Sequence, residues 1–150
     1  MNMPTRLEMS YVGESGQRHT PHMIHRAILG SVERFIGVLI EHYAGKLPLW
    51  LAPVQVVVAT ITGDTEEYGC RVKDALIKVG VRAELDIRNE KIGYKVREHS
   101  SKKVPVIFVL GKQESSENSV AIRRLGSQVN ETMSIKDAIT VIKDEATPPA

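Results

Sequence analysis

Long apolar runs, cysteine pairs and a strong charge of either sign are all missing from this sequence. Cys70 is the one cysteine in 150 residues, so a single chain forms neither a disulfide nor a cysteine-rich zinc module. That suits a reducing compartment, and a cytoplasmic location is the expectation. The opening MNMPTRLEMSYVGESG has no apolar core suited to a signal peptide, and no stretch approaches the roughly 18 apolar residues of a membrane helix. Neither export nor a membrane partner is expected. The formal charge of +2, from 20 Lys and Arg against 18 Asp and Glu, is too small to argue for nucleic acid by itself. Any basic surface must therefore be local.

Several catalytic patterns are absent too. The chain has no GxxxxGK[ST] phosphate loop, no GxGxxG after a strand, no GxSxG elbow and no HExxH. Cys70 with distant histidines is a weak nucleophile signal, and a small thiol buried in a helix is the expectation. Nothing here constitutes a self-sufficient catalytic set.

What is present is the composition of a globular chain, 42% hydrophobic and 25% charged, at a length common for one domain. A break falls at KLPLWLAP, where Pro48 and Pro53 cannot continue a helix. We place domain limits at 1–47 and 53–146, with 48–52 as linker and 147–150 as a frayed tail. Before the break, Ile28, Leu29, Val32, Phe35, Ile36, Leu39, Ile40 and Tyr43 follow helical spacing, and Gly45 supplies a stop. Gly30 and Gly37 inside that helix suggest close approach of something else to its backbone.

After the break, strands alternate with helices. VQVVVATI is a nearly continuous β-branched run, suited to a strand covered on both faces. Thr62 or Asp64 can cap a following helix that carries Tyr68, Val72, Ala75, Leu76 and Val79 and ends at Gly80. VRAELDI predicts a second strand with Val81, Ala83, Leu85 and Ile87 on one side, and KIGYKVREHSS a short basic helix. VPVIFVLG and SVAIRR read as further strands, and Ser134 with Asp137 has capping-box spacing before a last helix. The predicted order βαβαββα implies an α/β fold with a mixed, largely parallel sheet flanked by helices, its core from Val56 to Val58 and Val106 to Val109.

Two stretches carry candidate chemistry. In HTPHMIHRAILGSVERF, His19, His22 and His25 are evenly spaced, but Pro21 argues against a helix, and on an extended strand His22 faces away from the other two. A local three-histidine metal site is disfavoured against solvated histidines or one histidine in a shared site. Arg34 reads first as a surface ion pair and second as a phosphate contact. In LDIRNEKIGYKVREHSSKKVP, by contrast, Arg88, Lys91, Lys95, Arg97, Lys102 and Lys103 crowd together, with Arg123 and Arg124 a strand away. Such residues can track a sugar-phosphate backbone, while Asn89 or Glu90 reads base edges and Tyr94 offers a stacking ring. The alternative is a solvated charged helix.

HMIHRAILGSVERFIGVLIEHYAGKLPLWLAPVQVVV and DIRNEKIGYKVREHSSKKVP resemble the C-terminal part of bacterial-type threonyl-tRNA synthetases. The resemblance covers about Leu7 to Ile142. It implies that the first segment is the end of a class II catalytic domain with its third signature motif, and that the second domain binds an anticodon. It further implies that Arg34 contacts ATP phosphates, that His25 is one ligand of a zinc recognising threonine, that Asn89, Arg97, Glu114 and Arg123 surround the second and third anticodon bases, and that Lys103 is an anticodon-binding position where some members have arginine, keeping the charge without the bidentate fork. His19 and His22 match no ligand position. Near GKQESSENSVAIRRLG the wording departs somewhat from the family.

The expectation is a fragment or truncated product of such a ligase. It would bind threonine tRNA without catalysing aminoacylation alone, because the resemblance puts motifs 1 and 2 and the other zinc ligands upstream of Met1. Zinc and ATP with magnesium belong to the full enzyme, with no cofactor expected for this chain alone. The partners expected are tRNA and either the rest of the synthetase or a second copy, with no DNA. A free-standing accessory module on the same fold is the rival reading.

Overall fold

The computed structural model describes residues 3–149, which divide into two compact units, 3–35 and 36–149. The first holds a short helix α1 (Met3–Arg6) and an antiparallel pair, β1 (Tyr11–Val12) and β2 (Arg18–His19), in which Tyr11 faces His19. Residues 20–31 follow without helix or strand.

Helix α2 (Val32–His42) starts later than its apolar spacing predicts. The Ser31 hydroxyl accepts from the Arg34 amide at 3.3 Å, taking an N-cap role, so Ile24 and Ile28 stay outside the helix, 88% and 78% exposed. Its end is where expected: Gly45, at φ +73°, turns its amide back to the Ile40 carbonyl at 2.9 Å. The glycines Gly30 and Gly37 do not mark a close approach among the described residues, since nothing lies within 4 Å of where a side chain at either would begin.

The second unit is a five-stranded sheet in the order β4-β3-β5-β6-β7. Its strands are β3 (Val56–Thr60), β4 (Ala83–Asp86), β5 (Val106–Leu110), β6 (Ser119–Arg124) and β7 (Asn130–Ser134). Strands β4 and β5 flank β3 in parallel, whereas β5–β6 and β6–β7 are antiparallel, so the sheet is evenly mixed rather than largely parallel. The helices are α3 (Glu66–Lys78), α4 (Ile92–Ser101), α5 (Lys112–Glu117) and α6 (Ile135–Ala146). Two elements, α5 and β7, lie outside the predicted order. KQESSE is too short and polar to show a period, and NETMS carries one large apolar residue.

Val56, Val58, Val106, Phe108, Val120 and Ile122 turn one face of the sheet toward Tyr68, Val72 and Leu76 of α3 and Ala138 and Ile142 of α6, forming the main core. The expected core strands are thus buried, although Val109 on the opposite face is only partly covered. Ser134 caps α6 as its spacing predicts, accepting from the Asp137 amide at 3.2 Å. Neither Thr62 nor Asp64 caps α3. The turn tightens first into a 3₁₀ segment, Gly63–Thr65, and Asp64 pairs with Lys112 at 2.8 Å instead. Cys70 is exposed on α3, contrary to expectation, because the buried stripe runs through Tyr68, Gly69, Val72 and Leu76. Among the described residues, no helix is long and apolar enough to cross a membrane.

Candidate nucleic-acid interface

The sheet reverses direction of growth at β3: one crossover leads to β4 on its one side, and the next leads to β5 on its other. Right-handed crossovers then put α3 and α4 on opposite faces and leave a crevice at the carboxyl ends of the parallel strands. The register places Ala59, Val109, Ala121 and Thr132 on the α4 face, together with Val57, Ile107, Arg123 and Asn130. Helix α4 packs on β3 and β5 and leaves the far part of this face open.

A cavity of about 660 Å³ fills that space, with Val109, Ala121 and Arg123 as floor and Val96 and Arg97 of α4 as wall. Glu114 and Asn130 also line it. This volume falls within the usual range for small-ligand sites. Beside it, a cavity of about 340 Å³ opens at the ends of β3 and β4, lined by Thr60, Ile87 and Asn89. Ile61 is common to both.

Beneath α4 lies a charged cluster that holds the helix to the sheet. Asp86 is 6% exposed and Lys95 only 1%. Arg88 grips Asp86 through Nε to Oδ1 at 3.0 Å and Nη2 to Oδ2 at 2.7 Å, and its Nη1 donates to Glu98 at 2.8 Å. Lys95 Nζ donates to the main-chain oxygens of Thr60 at 2.9 Å and Asp86 at 3.1 Å, tying together the ends of β3 and β4. The Arg88 guanidinium holds the Asp86 carboxyl well below the usual carboxylate range; burial opposes this, and His99 and Lys95 add to the lowering.

Several of the crowded basic residues already have partners within the chain. Arg88 and Lys95 belong to the cluster, Lys102 pairs with Glu98 at 2.7 Å, and Arg124 forms a forked pair with Glu145 at 2.7 Å on both arms. Arg124 is accordingly raised above its ordinary value by Glu145, and Glu98 lowered by Lys102 and then Arg88. Arg97 and Arg123 have no hydrogen bond or ion pair with any side chain among the described residues. They are the two arginines that line the larger cavity.

The sequence-proposed residues therefore separate into groups. Arg97, Glu114 and Arg123 meet in one cavity, and Asn89 lines its neighbour. Lys103 lies beyond the C-terminal end of α4, at φ +60°, against a third cavity of about 350 Å³ that includes Leu47, Glu84 and His99. His25 and Arg34 fall in the first unit, both exposed. No group of three or more His, Cys, Asp or Glu among the described residues is placed to hold a metal, so His19, His22 and His25 do not form a site together. Asn130 and Ile61 were missed by sequence reasoning. Asn130 sits on the unrecognised strand β7, and Ile61 looked like the end of a buried strand although it is 45% exposed.

The anticodon binding domain family model matches residues 55–145. The chain belongs to this family. Residues 1–43 match the class II tRNA synthetase core domain of the glycine, histidine, proline, serine and threonine type. Over 147 residues the chain is 60% identical to a threonine-tRNA ligase of Parvibaculum lavamentivorans, covering 98% of this chain and 22% of the relative. A threonine-tRNA ligase of a Caulobacter species is 58% identical over 147 residues with the same 98% and 22% coverage. The chain thus spans about a fifth of the length of these relatives. The RNA binding domain of threonyl-tRNA synthetase from Cryptosporidium parvum superposes with a TM-score of 0.76 at 32% identity, covering 97% of this chain and 37% of that one. The anticodon-binding domain here is therefore of the threonine-tRNA ligase kind, a mixed five-stranded sheet preceded by a segment of class II core.

Proposed function

We propose that this chain reads the anticodon of a threonine tRNA, as the anticodon-binding region of a threonine-tRNA ligase. The second and third anticodon bases unstack into the two cavities on either side of Ile61. The observation that carries this is the joint placement of Arg97 and Arg123, both without acidic partners, with the Glu114 carboxylate in one open cavity. Guanidinium groups donate to base carbonyls, ring nitrogens and phosphates, and a carboxylate accepts from amino or imino N–H groups. Asn89 in the adjoining cavity does both. Asn89, Glu114 and Arg123 suit single-stranded bases read on their hydrogen-bonding edges, and Arg97 suits a phosphate of the same strand.

The whole ligase would activate threonine with ATP and transfer it to the terminal adenosine of the tRNA. Arg34 would contribute to the ATP phosphates, with magnesium, and His25 one ligand to a zinc. Since no group of three or more metal-ligating side chains is placed to hold an ion among the described residues, such a zinc would need ligands from outside them. The described residues alone hold no complete zinc site. Lys103 stands apart from the cavity residues and would contact the RNA elsewhere, as a charge without the arginine fork.

The test is binding of the chain to a threonine tRNA transcript and to transcripts with the second and third anticodon bases exchanged. Discrimination against the exchanged transcripts is expected. Equal affinity for all would defeat the reading and favour an accessory module on the same fold.

A further inference from the structure

Gly111 precedes α5 with φ −110° and ψ −173°, extended backbone that any residue adopts. Glycine is not required there by conformation. What singles it out is space: a Cβ at this position would lie 2.8 Å from Glu114 Oε2 and 3.1 Å from Ile61 Cδ1. Both are far ends of flexible side chains, so the first response to an added methyl is their movement rather than loss of the fold.

The contact is also a bond. The Gly111 amide donates to Glu114 Oε2 at 2.8 Å, the half of a capping box that a glycine N-cap can make. Glu114 Oε1 makes no hydrogen bond among the described residues, and Glu114 lines the larger cavity. The Ile61 amide donates to the Leu110 carbonyl at 2.9 Å, which keeps Ile61 beside Gly111. One position without a side chain therefore governs both the acceptor of the cavity and the rib it shares with its neighbour.

We infer that Gly111 is a positioning residue that sets base selectivity, by seating one Glu114 oxygen on its amide and leaving the other to accept a base N–H. This rests on the reading of Glu114 proposed above. The substitutions Gly111→Ala and Glu114→Ala, alone and combined in the full chain, test it against cognate and base-exchanged threonine tRNA transcripts. Discrimination in Gly111→Ala should fall to within about twofold of that in Glu114→Ala, and the combined variant should fall no further, as coupled sites behave.

Amide NMR gives a second readout without RNA: both single substitutions should remove the charge-assisted hydrogen bond of the amide at position 111. Wild-type discrimination in Gly111→Ala beside a loss in Glu114→Ala would overturn the inference alone. An added loss in the combined variant, or a retained amide bond in Gly111→Ala, would do the same. Unchanged discrimination in Glu114→Ala would overturn the inference together with the reading beneath it.

Discussion

His99 Nε2 lies 2.8 Å from Asp86 Oδ2, across the interface between α4 and the end of β4. A carboxylate only accepts, so this ring nitrogen carries the proton. The same carboxylate takes Arg88 and faces Lys95 Nζ at 3.7 Å, which makes it the shared acceptor beneath the helix that carries Arg97. Replacing Asp86 with Asn should cost about 3 kcal/mol, because the buried Lys95 ammonium is left without its counter-charge. The sign of the pH effect follows from the lowered carboxyl. Its contribution is complete above about pH 4, the unfolded value, and is lost as pH falls through the lower folded value. Urea unfolding from neutral to acid pH should show a flatter acid limb in Asp86→Asn than in wild type. Parallel curves would contradict the linkage.

Arg123 should act through its fork as well as its charge. It is half-buried on the cavity floor, in register with Ile107 and Asn130. Arg123→Ala should weaken binding of the cognate transcript by about 1–3 kcal/mol and relax selectivity at one anticodon base. Arg123→Lys keeps the charge, and should recover affinity for all transcripts more than it recovers selectivity. Full recovery of selectivity by lysine would reduce Arg123 to a point charge.

Its neighbour makes the opposite case. Arg124 is held by Glu145 through two 2.7 Å bonds, and both side chains are more than a third exposed. Arg124→Ala should alter stability by at most about 1 kcal/mol and leave RNA affinity near wild type. If RNA binding fell as far as in Arg123→Ala, local basic density rather than free guanidinium groups would govern the interface.

The contrast between these neighbours explains what the sequence made legible. Strands β3 and β5 and the core helices carry their own signals, since a β-branched run or a 3.6-residue stripe is a local pattern. Arg97, Glu114 and Arg123 came from the family resemblance, and the structure brings them to one cavity. Composition alone could not separate Arg123 from Arg124, because a partner such as Glu145 is 21 residues away. Lys95 is the sharpest instance. It reads as one more surface cation, yet it is buried and bonded to Thr60, 35 residues upstream. Pairing across a sheet is a property of topology, and a strand as polar as β7 leaves little trace in a periodicity.

Arg97 gives the electrostatic test. It is exposed on the cavity wall in α4, without an acidic partner, whereas Glu98 beside it is occupied by Arg88 and Lys102. A guanidinium so placed reaches a phosphate without first breaking an ion pair. Arg97→Ala should therefore weaken cognate and base-exchanged transcripts by similar factors, and should lower the slope of log affinity against log salt by about one. Titrations at several salt concentrations measure this directly. An unchanged slope with a loss confined to the cognate transcript would assign Arg97 to a base edge instead, and would move the backbone contact to Lys91 or Lys103.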